Sequence, residues 1–170
     1  MKLYATKIPV IAAELIRKLK DDGDIDVSDP KEAQLDVEAV LKEYLRLDRE
    51  LTEQAKDFME RRRLPYEQFG KIKREFAEKR DFPTGEDSLL YLANQTLEAF
   101  MHSQSIEEVF GDDGEMRKKM AAVLKKHMQV DADIDREVRR RIKNLEEGTA
   151  TWEVEYSRVM ESLRQQKKLV

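Results

Sequence analysis

The sequence holds 170 residues, enough for one compact domain or two small ones, with 40% of them charged and 40% hydrophobic. Only 6 Gly and 4 Pro argue against a many-turned β protein, and the lack of Cys excludes disulfides, thiolate nucleophiles and Cys-ligated zinc. A net charge of −4 gives no global attraction to nucleic acid or to anionic lipid.

The first predicted element is a helix over residues 9–20, opened by Pro9 at a position where a missing N–H costs nothing. Glu14 interrupts its apolar run, and Arg17, Lys18 and Lys20 follow where a secretory signal would need a cleavage site. No stretch approaches the ~18 apolar residues of a membrane span, so a cytoplasmic protein without membrane contact is expected. An acidic turn, DDGDIDVSD, precedes a second helix that begins at Asp29-Pro30 and reaches Arg63. Pro65 breaks the chain before a third helix over residues 66–80. Thr84 and Asp87 imitate a capping box for a helix ending near His102. A short capped turn, SIEEVF, then leads to a long helix over residues 115–145, and Gly148 separates it from a last helix over residues 151–167.

These elements repeat. AVLKEYLRLD at Ala39 returns as AVLKKHMQVD at Ala122, 83 positions later. At the same spacing Leu51, Ala55 and Met59 meet Ile134, Val138 and Ile142, and Phe69 meets Trp152. Apolar positions are kept while surface positions drift. The expected fold is therefore all-α, with two duplicated three-helix units, residues 1–83 and 84–170, built on long central helices and elongated or bilobed. Val37, Leu41, Tyr44, Asp48, Leu51, Ala55 and Phe58 form a seam in steps of four and three, and Asp48 falls on it, as Asp131 does in the other copy. A carboxylate on an apolar seam is costly, so Asp48 and Asp131 are read as structural caps or kinks where each long helix breaks. Trp152, Tyr156 and Val159 share a face, which makes Trp152 the expected core anchor of the last helix against Ile134, Val138 and Ile142.

Complete chemical sites are not found. The acidic turn fails as a calcium loop, because Val27 stands where Gly belongs and Ala33 where the bidentate Glu belongs. His127 and Asp131, four apart, could face one ion, but no third ligand is visible nearby. No phosphate loop, nucleophile elbow or HExxH stretch occurs. Neither catalytic activity nor a cofactor is expected.

The basic residues are better organised. Residues 61–80 hold eight Lys or Arg against three Glu, including Arg61, Arg62, Arg63, Lys71, Lys73 and Arg74. A later cluster places Arg136, Arg140 and Lys143 on one helix face. Aromatic residues do not read as interleaved with these clusters in the manner of a single-strand binder.

The opening KLYATKIPVIAAELI, IEEVF at Ile106, D-x-x-I-D-x-E-V-R at Asp131 and E-G-T-x-x-W-E-x-x-Y at Glu147 resemble domain of unknown function family 507, a bacterial family, over nearly the whole chain. Many members carry Ser-Arg before the Trp, where this chain has Ala150 and Thr151. The resemblance implies an all-α bacterial cytoplasmic protein and brings no catalytic residues. The leading expectation is a non-enzymatic helical interaction or scaffold protein with a protein partner or self-association. The alternative is a nucleic-acid-binding module using the basic helix faces named above.

Overall fold

The computed structural model describes residues 1–170. Seven α-helices and a two-stranded sheet follow in the order α1 (Ile8–Asp21), β1 (Ile25–Val27), α2 (Pro30–Arg62), α3 (Phe69–Lys79), α4 (Asp87–His102), β2 (Ile106–Val109), α5 (Asp113–Met128), α6 (Val130–Arg141) and α7 (Ala150–Gln166). The fold is all-α apart from that small sheet. No helix is long and apolar enough to cross a membrane.

Local chemistry sets the start of three helices and the end of α2. The Asp29 carboxylate accepts from the amides of Lys31 and Glu32 at 3.1 and 3.2 Å, and Pro30 occupies the first turn. Thirty-three residues then run unbroken for about 50 Å at the standard rise. Arg63, in the left-handed region at φ 51°, ends them, and Pro65 follows. Asp112 caps α5 through the Glu115 amide, and Thr149 caps α7 through the Trp152 amide. Thr84 caps nothing. The chain instead turns at Gly85, with φ 61°, and α4 starts at Asp87.

Two expected turns are strands. Ile25, Asp26 and Val27 pair antiparallel with Val109, Glu108 and Ile106, across a bulge. Asp24 closes one end of the sheet, its carbonyl accepting from the Phe110 and Gly111 amides. Lys119 joins the Asp24 and Asp22 carboxylates at 2.7 and 3.0 Å, so α5 supplies a cation to the acidic turn.

The order helix, strand, long helix, third helix occurs twice, with α2 represented in the second half by α5 and α6. The two halves do not form separate cores. α1 packs on α2 and α5, and α4 packs on the same two helices, closing a four-helix bundle. Its core joins Ile11, Leu15, Leu41, Leu92, Met116 and Leu124, from both sides of the boundary expected after residue 83. The reason is that α1 and α4 each carry one broad buried stripe, which α2 and α5 cover together. Two smaller clusters lie beyond the bundle. One joins Ala55 and Met59 of α2 to Ile72 of α3, and the other joins Ile134, Val138 and Ile142 to Trp152 and Leu163. The molecule is thus a central bundle with two helical arms, α2–α3 and α6–α7.

The expected break at Asp48 is absent. Its carboxylate stays about one-third exposed and pairs with Lys73 of α3 at 2.8 Å, so the helix continues without burying an unpaired charge. The second copy does break, but at Gln129 rather than at a capping Asp131. There the Lys2 amide takes the Met128 carbonyl at 2.9 Å. Asp131 lies in the first turn of α6, accepts from the Tyr4 hydroxyl and pairs with Arg164 of α7. Each aspartate ties its long helix, or the continuation of it, to the third helix of the same half.

Candidate interaction surfaces

The α6–α7 arm is held by a ladder of polar contacts beside its small core. On α6, Asp131, Asp135 and Arg139 recur at four-residue spacing, which puts them on one face. Asp131 receives Tyr4 and Arg164, and Asp135 receives the Tyr156 hydroxyl at 2.5 Å and Arg139 at 3.1 Å. Arg139 also reaches Glu147 at 2.9 Å and lies 5.4 Å from the centre of the Trp152 ring, which stacks on Tyr156. The Trp152 side chain is buried in the cluster with Ile134, Val138 and Ile142.

These contacts shift proton equilibria. The Tyr156 hydrogen bond and then Arg139 hold the Asp135 carboxyl below its usual range. Burial, aided by Asp135, pushes Tyr156 up to about 12. The depressed carboxyl contributes stability that is present above its unfolded-chain value and is lost as pH falls through the lower folded value. The raised phenol contributes stability that is present below its unfolded-chain value and is lost as pH rises through about 12. The arm is therefore expected to loosen at both pH extremes. Trp152 fluorescence read against pH should show an acid and an alkaline transition, and Tyr156→Phe should weaken both. An unchanged profile in that variant would remove the Asp135–Tyr156 pair from the account.

The basic residues divide between the two arms. On α6, Arg136 pairs with Asp133, and Arg140 and Arg141 pair with Glu137 at 2.7 and 2.8 Å. Those arginines are committed to their own helix. Lys143 lies beyond the end of α6, exposed and without an ion pair. On the other arm Lys73 turns inward to Asp48. Arg61, Arg62, Arg63, Lys71 and Arg74 are all exposed, and none forms an ion pair. The two basic clusters are not one surface.

Aromatic rings stand among the free cations, contrary to the sequence reading. Tyr66 is 76% exposed, the most open large apolar side chain in the chain, and it stacks parallel to Phe69 with centroids 5.7 Å apart. Arg62 lies over Phe58, which meets Phe76 edge-on at 5.5 Å. The stretch RRRLPYEQF, read for spacing rather than as a charge run, holds the signal.

His127 and Asp131 do not share a site. His127 Nε2 and Lys126 Nζ each lie 2.6 Å from a Glu14 carboxylate oxygen, joining α5 to α1. Burial pushes the Glu14 carboxyl up, but the hydrogen bonds from Lys126 and His127 outweigh it and leave the group below its usual range. His102 instead borders an open groove of about 390 Å³ between α2 and α4, with Tyr44, Tyr91 and a Ser103–Asp36 hydrogen bond.

The family described as "Protein of unknown function (DUF507)" matches residues 1–169. No curated protein matches the sequence.

Proposed function

Since the chain belongs to the DUF507 family, whose description assigns no activity, we propose that it is a non-enzymatic interaction protein of the cytoplasm whose contact surface is the tip of the α2–α3 arm. One observation carries this reading. The tip presents Arg61, Arg62, Arg63, Lys71 and Arg74 without ion pairs, beside the exposed Tyr66 ring. Five exposed cations without ion pairs are thus gathered between Arg61 and Arg74, whereas Arg136 and Arg140 of α6 are paired within their own helix. An exposed ring three residues after a run of unpaired arginines matches the aromatic and Arg enrichment of recognition surfaces.

Side chains able to do acid–base work support the same reading. Glu14 and His127 close on each other, and Asp135 and Tyr156 do the same. Their geometry serves packing of one helix on another.

The test is co-purification with the wild-type chain and with the Arg61→Glu, Arg63→Glu double variant. Partners recovered reproducibly by the wild type should be lost from the tip variant and kept by an Arg136→Glu, Arg140→Glu control. Retention by the tip variant would overturn the assignment of the surface. Light scattering of both proteins reads self-association through the same tip, which would appear as a wild-type oligomer reduced to a monomer in the tip variant.

A further inference from the structure

Building on the arm tip as the contact surface, we propose that its ligand class is single-stranded nucleic acid, held by base stacking on Tyr66 and phosphate contacts to the neighbouring arginines. Three features of the tip carry the inference. First, the Tyr66 and Phe69 rings are parallel within 2° with centroids 5.7 Å apart, an offset contact that leaves most of the Tyr66 ring uncovered. With 76% of the residue exposed, the ring is open to a flat ligand. A ring open to solvent offers a base a stacking platform.

Second, the open ring follows directly on three exposed arginines. α2 ends at Arg62, Arg63 adopts the left-handed conformation, and Leu64-Pro65 carries the chain to Tyr66. A strand with one base on Tyr66 therefore runs its neighbouring phosphates past this cationic turn. Lys71 and Arg74, one turn apart on α3, extend the cationic surface.

Third, the tip is mixed in charge, and this selects the kind of nucleic acid. Glu60 and Glu67 stand in the same stretch, and Glu75 and Glu78 share the outer side of α3 with Lys71 and Arg74. A surface diluted in this way binds a duplex backbone poorly, because duplex affinity without groove readout rests on phosphate neutralisation. Single strands add stacking, which every base supplies. An acidic protein segment would use the arginines but leave the flat Tyr66 face without a matching group.

The experiment is fluorescence anisotropy of labelled single strands of about 15 nucleotides, as oligo(dT) and oligo(U), with a duplex of equal length. For about three neutralised phosphates, affinity should fall roughly 50- to 100-fold between about 25 and about 200 mM salt. Tyr66→Ala should weaken single-strand binding about 5- to 150-fold with little change in salt dependence, and Tyr66→Trp should restore it. Arg61→Glu with Arg63→Glu should weaken binding and flatten the salt dependence, whereas Arg136→Glu with Arg140→Glu should leave both unchanged. Circular dichroism confirms that each variant remains folded. Equal binding of duplex and single strand, or full binding by Tyr66→Ala, would overturn the stacking surface. No binding by the wild type at low salt would overturn the ligand class. In that case the contact surface itself still stands if the tip variant loses protein partners in co-purification, and it falls with the ligand class if it loses none.

Discussion

Trp152→Ala is expected to lower the melting temperature by roughly 6–20 °C, from a loss of about 3–5 kcal/mol in a chain of this size. The side chain is 8% exposed and sits in a cluster of only seven buried residues, so few neighbours can close over the space it leaves. Its removal also takes away the ring on which Tyr156 stacks and the face beneath Arg139. Asp135 then loses support from two partners that the indole positions. Because the chain has a single Trp, unfolding of the variant must be followed by circular dichroism. Trp152→Phe should recover part of the loss, since an aromatic ring can still stack on Tyr156. Amide exchange should accelerate most in α6 and α7, where the cluster lies. A variant that melts with the parent would show that the arm is held by its polar ladder instead.

The cluster around Trp152 was legible because period and side-chain type agree. Trp152, Tyr156 and Val159 fall on one face, and Ile134, Val138 and Ile142 form the only row at matching spacing on the preceding helix. The Asp29-Pro30 start of α2 was legible for a similarly local reason. Its signal is a side chain two and three residues from the amides it satisfies. The intrahelical pairs of α6 were also written in the spacing of Asp133, Arg136, Glu137 and Arg140.

What was hidden depends on partners far along the chain. β1 and β2 have three and four residues, and neither is a strand without the other, about 80 positions away. Asp48 looks unpaired on its own helix because Lys73 comes from α3. The break at Gln129 coincides with a carbonyl taken by Lys2, from the opposite end of the sequence. The 83-residue repeat shows which residues face inward, and Leu41 and Leu124, matched by it, are both fully buried. Hydrophobic period gives a helix its inner face but not the helix that will cover it. That is why the repeat suggested two cores where the bundle has one. The basic-aromatic tip went unseen for a different reason. RRRLPYEQF reads as a charge run followed by a break, and only the folded chain shows that the Tyr66 ring stays exposed there.

Leu41→Ala is expected to destabilise the whole bundle, α4 and α5 included, by about 3–5 kcal/mol. Leu41 is fully buried and belongs to the 24-residue core that also holds Leu92, Met116 and Leu124. α2 touches α1 and α4, and those two helices cover α5, so a cavity beside Leu41 weakens packing on both sides of residue 83. Two independent units would respond differently, because α4 and α5 would then keep their stability when a residue of α2 is truncated. Native-state hydrogen exchange separates these outcomes. In a shared core, Leu41→Ala lowers the opening free energy of the slowest amides in α1, α2, α4 and α5 by the same amount, and Leu124→Ala repeats the pattern from the other half. Protection of α4 and α5 left intact by Leu41→Ala would break the four-helix bundle into two cores and restore a boundary near residue 83.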